Sequence, residues 1–139
     1  MPTSADLLLD TSAAIALVSP SHAAHSRAVQ VMRGRQLGLA GHAAFEFISV
    51  ITRVPPPLRL DVVSAGRIIA ESFPGTTFLS EHEQLALLLR LPGQGIVGGA
   101  VYDALVAEVA RACDVPLVTD DRRALGTYAA VGCTPLLLT

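Results

Sequence analysis

The chain has no lysine and no tryptophan, and its ten basic residues are all arginine. Codon bias alone can produce such a pattern, yet it excludes any reaction that needs a lysine. Signalling receivers and phosphoaspartate phosphatases also carry acids at strand ends, but both depend on a lysine beside the phosphate. A phosphate-binding loop, which needs Gly-Lys-Ser/Thr, is equally absent. The only cysteines, Cys113 and Cys133, lack metal-type spacing and suit a reducing, cytoplasmic setting as small core residues. Aromatics make up 4% of a chain that is 51% hydrophobic, so Ala, Leu and Val must fill the core. No apolar run reaches the roughly 18 residues of a membrane span. The first apolar run has no basic flank and Asp10 interrupts it, so it does not read as a signal peptide. A net charge of -2 does not announce a nucleic-acid binder. A phosphate bridged through a metal, however, needs no basic protein.

What is present is an alternation of short apolar runs with longer amphipathic ones, the pattern of an α/β fold with a parallel sheet. Strands are expected at residues 6–9, 37–40, 76–79 and 116–119, with an edge strand at 135–138. Helices are expected over 12–18, 22–34, 42–54, 60–73, 81–91, 100–112 and 122–130. Ser21 is placed to cap the second helix, Asp61 to favour the start of the fourth, and Ser80 with Glu83 to form a capping box. Pro55-Pro56-Pro57 stops the third helix, and the stretch from Pro92 to Gly99 reads as a loop. With 139 residues and neither repeat nor linker, the chain fits one domain over 1–139 with a well-buried core.

Two of these strands stop at an acid. Leu7-Leu8-Leu9 runs into Asp10, and Pro116 to Thr119 runs into Asp120-Asp121. Buried parallel strands of this kind deliver carboxylates to the carboxyl edge of the sheet, where open α/β sheets bind ligands. Capping the next helix is the other role open to Asp10 and to one of the later pair. Two adjacent acids are more than a cap needs, and their side chains point in different directions. Ser12 is placed either as a cap or as a partner of Asp10. Glu46 stands in an otherwise apolar helix start, so it needs a partner or a metal unless it lies on an exposed edge. Asp103 is the only acid in the first two turns of its helix, behind a Gly-rich loop that lets backbone approach a ligand. Glu108, five residues later, falls on a different face and is expected in solvent. His22 and His25 are expected at the surface, while His42 lies one turn before Glu46. Arg122 and Arg123 are placed either to hold a nucleic-acid backbone or to form a solvated face. Four carboxylates sharing a small space repel one another and suit Mg²⁺ or Mn²⁺. Such a site can direct water at a phosphodiester.

Four stretches resemble the PIN-domain ribonucleases, specifically the VapC toxins of type II toxin–antitoxin pairs. They are Leu8-Leu9-Asp10-Thr11-Ser12-Ala13, Phe45-Glu46 with Thr52-Arg53-Val54-Pro55, Gly95 through Leu105, and Leu117 through Ala124. The resemblance spans nearly the whole chain, and the third stretch is its most specific part. It implies a three-layer α/β/α sandwich with a central parallel sheet of about five strands. It also implies that Asp10, Glu46, Asp103 and Asp121 form the family's acidic quartet and hold Mg²⁺ or Mn²⁺. Thr119 then matches the polar residue before the last acid, with Ser12 and Asp120 in support. Asp120 is an extra acid where other residues are common, and Asp121 is preferred from its place in the motif. Further implications are metal-dependent cleavage of RNA, a homodimer, and a small VapB-like antitoxin lying in the active-site groove. The helices flanking Pro55–Pro57 would form the clamp that the antitoxin contacts. A DNA-directed nuclease stays open, because no element marks recognition of a 2′-hydroxyl; a non-catalytic RNA- or partner-binding module is the other alternative, and the intact acid quartet argues against it.

Overall fold

Leu7, Leu8 and Leu9 are all buried, as a strand covered on both faces requires. They form β1 (Leu7–Leu9), the second strand in a four-stranded parallel sheet with β2 (Leu37–Leu39), β3 (Leu117–Thr119) and β4 (Pro135–Leu137), ordered β2-β1-β3-β4. The computed structural model describes every residue from Met1 to Thr139. Leu7 pairs with Leu37 and Leu9 with Leu39, while Leu8 pairs with Leu117 across the other side of β1. Seven helices complete the fold: α1 (Thr11–Val18), α2 (His25–Met32), α3 (His42–Ile51), α4 (Val62–Ser72), α5 (Glu81–Gln94), α6 (Ala100–Cys113) and α7 (Leu125–Val131). None is long and apolar enough to cross a membrane.

Alternation along the strands creates two cores. Leu7 and Leu9 join Ala13, Phe47, Ile51 and Ala65 from α1, α3 and α4. Leu8 joins Leu87, Ala107 and Tyr128 from α5, α6 and α7 on the opposite face. Successive strand residues point to opposite faces, so three leucines in a row hold two helical layers against one sheet. The result is the expected α/β/α sandwich. The chain leaves β1 for β2 on one side and later returns to β3 on the other, so the strand order reverses between β1 and β3. That reversal opens a crevice at their carboxyl ends.

The sheet has four strands rather than about five. The segment expected as a strand at 76–79 makes only one bridge, Ala40 with Thr77. It runs beside β2, donating from the Gly75 and Thr77 N–H groups to the carbonyls of Leu37 and Leu39. The ladder breaks because the Leu39 N–H donates to the Thr76 hydroxyl instead of a main-chain carbonyl. The approach is also very close: a Cβ on Gly38 would collide with the Gly75 carbonyl group.

Three helix details differ from expectation. Helix α2 begins at His25 without a side-chain cap, because the His22 ring takes the Ala24 N–H and holds residues 19–24 in a turn. Helix α5 runs through Pro92 to Gln94 and ends at Gly95 in the left-handed region, φ 66°. Pro92 has helical φ but no N–H for the Leu88 carbonyl, so the last turn forgoes one bond and closes instead through the Gly95 and Ile96 N–H groups on the Pro92 and Leu91 carbonyls. Glu108 is 2% exposed, not solvated. Arg111 donates to it, and the Arg90 guanidinium lies 3.0 Å away without hydrogen-bond alignment. Burial would raise its pKa, but the two arginines outweigh burial and hold the carboxyl below its usual range. The expected capping by Ser80, Glu83 and Asp61 is present.

Candidate functional site

The acid ending β1 is fixed from both sides. Asp10 is 5% exposed and caps α1, accepting the Ala13 N–H at 3.0 Å and the Ser12 hydroxyl at 2.7 Å on one oxygen. Its other oxygen accepts the Tyr128 hydroxyl at 2.7 Å. Capping and site-building are therefore compatible roles for this residue. Ser12 also accepts the Asp120 N–H at 2.8 Å, which ties the end of β1 to the end of β3. Thr119, fully buried, accepts the Asp121 N–H.

The two adjacent acids after β3 part ways. Asp121 lines the crevice and caps a 3-10 turn over Arg122–Ala124, accepting the Arg123 N–H at 3.0 Å. Asp120 turns toward His22, 3.9 Å away, and accepts the Thr139 hydroxyl. Arg123 extends into solvent beside Asp121, and Arg122 donates to the Thr139 carbonyl. The expected helix at 122–130 is thus a 3-10 turn followed by α7.

Glu46 and Asp103 reach the crevice from helices. Gly41, at φ 51°, makes the sharp entry to α3, where a side chain would press on Val109. One turn on, Glu46 is partly exposed, with the His42 ring 3.3 Å from its carboxylate. Asp103 sits in the first turn of α6. Its pKa is raised by burial first, then by the charges of Asp121, Glu46 and Asp10. Each of the other three carboxylates is therefore felt at Asp103.

Together Asp10, Glu46, Asp103 and Asp121 line a cleft of about 70 Å³, along with Thr11, Ser12, Val106 and Tyr128. A larger hollow of about 480 Å³ between α3 and α4 is apolar and holds no titratable group. The cleft offers oxygen donors only, the set that hard divalent cations prefer. No three His, Cys, Asp or Glu side chains converge tightly enough to enclose an ion unaided. A divalent ion here would therefore rest on one or two carboxylates and keep its waters. Tyr128 is the cleft residue that the sequence did not single out. Its one signal is a phenol on a helix of small and apolar residues, since a buried tyrosine hydroxyl needs a partner.

Comparison with known proteins identifies the family. A family model of the PIN domain matches residues 7–130, a span that contains all four cleft acids. The chain is 42% identical over 126 residues to Ribonuclease VapC27 of Mycobacterium tuberculosis, covering 91% of this chain and 92% of that one. It is 37% identical over 120 residues to Ribonuclease VapC40 of the same organism, covering 86% and 89%. The crystal structure of PAE2754 from Pyrobaculum aerophilum superposes with a TM-score of 0.57 at 22% identity, over 94% of this chain and 90% of that one; this likeness speaks for the fold. The chain belongs to the PIN-domain family, within its VapC group.

Proposed function

We propose that this protein is the toxin of a type II toxin–antitoxin pair, a divalent-metal-dependent endoribonuclease working in the cytoplasm. The observation that carries the reading is the meeting of four carboxylates at the strand-order reversal, in a chain 42% identical to Ribonuclease VapC27. Mg²⁺ or Mn²⁺ bound there would offset their repulsion, activate water and neutralise charge developing on a phosphodiester.

The chain's own groups prepare that chemistry. Three donors hold the Asp10 carboxylate in one orientation. Glu46, Asp103 and Asp121 line the rest of the same cleft. Arg123 is the cation nearest Asp121 and is suited to a substrate phosphate. The apolar hollow beside α3 and α4 supports an antitoxin segment there, and Leu85, Leu88 and Leu89, exposed on α5, support a second copy of the chain.

One preparation tests the reading. Purified protein is expected to cleave single-stranded RNA with Mg²⁺ or Mn²⁺ and to stop in EDTA. Asp10→Ala or Asp103→Ala should lower cleavage by at least about 10²-fold with an unchanged circular dichroism spectrum. Light scattering on the same sample should read a dimeric mass. Equal cleavage by wild type and both variants would sink these assignments, and preferential cleavage of DNA would replace the substrate.

A further inference from the structure

The chain has six phenylalanine and tyrosine residues. Phe47, Phe73 and Tyr128 are buried, whereas Phe45, Phe78 and Tyr102 are more than half exposed. Two of the exposed rings directly precede a cleft acid in the sequence, and the third, Phe78, packs on one of them. Tyr102 directly precedes Asp103 and stacks on His42, with ring centroids 5.0 Å apart and planes 20° from parallel. The same His42 reaches Glu46 at 3.3 Å. Phe45 directly precedes Glu46 and packs at 5.9 Å on Phe78. His42, Phe45 and Phe78 also line a cavity of about 180 Å³. Leaving a large ring in water forgoes the stabilisation its burial would contribute. Three such rings gathered at one place mark a surface that something covers.

The charge around them says what kind of molecule that is. The cleft is walled by four carboxylates, and the only guanidinium paired with any of them is Arg123. Phosphate contacts, the usual source of nucleic-acid affinity, are therefore scarce. Beyond Arg123 and a bound cation, a single strand entering this cleft has its bases as the further source of affinity, and ring stacking provides that without reading sequence. The near-parallel His42–Tyr102 pair sits beside two cleft acids: Tyr102 directly precedes Asp103, and the His42 ring lies 3.3 Å from the Glu46 carboxylate. A phosphodiester at those acids necessarily has a base close by.

We propose that the His42–Tyr102 stack, extended by Phe45 and Phe78, is a platform for an unpaired nucleobase beside the phosphodiester in the acidic cleft. The proposal rests on the function proposed above and adds the residues that hold the substrate's bases. Tyr102 and His42 act here by stacking, and no change in their protonation is required.

The test uses single-stranded RNA oligonucleotides carrying 2-aminopurine, whose fluorescence is quenched when the base stacks. Binding is read in an Asp10→Asn background, and KM and kcat in the otherwise unmodified enzyme. Leucine in place of Tyr102 keeps apolar bulk and removes the ring face. Tyr102→Leu is expected to weaken RNA binding about tenfold and to lose the quenching. KM should rise in step, with kcat changed much less, and the melting temperature should stay the same. An oligonucleotide with abasic positions should erase the difference between wild type and variant. Unchanged KM and quenching in both Tyr102→Leu and His42→Leu, with RNA still cleaved, would overturn the platform alone. A surface that docks only a protein partner would give that same unchanged result. If the wild type neither binds nor cleaves RNA, the platform falls together with the function beneath it.

Discussion

Asp103 keeps a half-buried carboxylate within reach of Asp121, Glu46 and Asp10, and its pKa rises through burial and then through those three charges. A raised carboxylate pKa means that ionisation at neutral pH destabilises the metal-free fold. Asp103→Asn removes that charge while keeping the shape. The metal-free variant is expected to melt a few degrees above wild type at neutral pH by calorimetry, with the gap closing when Mn²⁺ stabilises the wild type. A variant that melts lower without metal would contradict this account of the cleft. Asp103 was legible in the sequence because an acid stood alone among apolar helix residues. Tyr128 was not, because the carboxylate it bonds lies 118 positions away. The difference between Asp120 and Asp121 was legible only as a difference of direction, since the backbone beyond β3 decides which one enters the crevice.

Helices α5 and α6 are joined by a charge as well as by apolar contact. Glu108, on α6, meets Arg111 one turn later and Arg90 across on α5. Glu108→Gln should cost about 2 kcal/mol in urea unfolding, below the roughly 3–5 kcal/mol of a fully buried pair. The discount follows from the arginines, which are 39% and 41% exposed and can turn to water. The folded pKa of Glu108 lies below its usual 4.5. Its contribution is therefore present above about pH 4.5 and is lost as pH falls through the folded value. The stability gap between wild type and variant should shrink in that acid window, and a gap that widened there would refute the linkage. This pairing was hidden in the sequence, where Glu108 read as a solvated position, because only the packing of α5 on α6 brings Arg90 to it. The strands β1 and β3 were legible because both faces of each are covered and their residues are continuously apolar. The segment at 76–79 misread as a strand because a hydroxyl, Thr76, occupies a ladder position that only the fold reveals.

Across the molecule, one topological event places the chemistry. The chain leaves β1 in one direction and comes back to β3 in the other, and two strand-end acids meet there as a consequence. Helices α3 and α6 then carry Glu46 and Asp103 to the same edge. The small net charge of -2 conceals this local concentration of negative charge, which is why composition alone did not mark the cleft. The central claim is that these four carboxylates act as one cation-dependent centre. Calorimetric titration of Mn²⁺ into wild type, Asp103→Asn and Asp120→Asn tests it most directly. The wild type should bind, Asp103→Asn should bind at least about tenfold more weakly, and Asp120→Asn, whose side chain faces His22 and Thr139, should differ little from wild type. Equal Mn²⁺ affinity in all three proteins, or a loss confined to Asp120→Asn, would contradict the account.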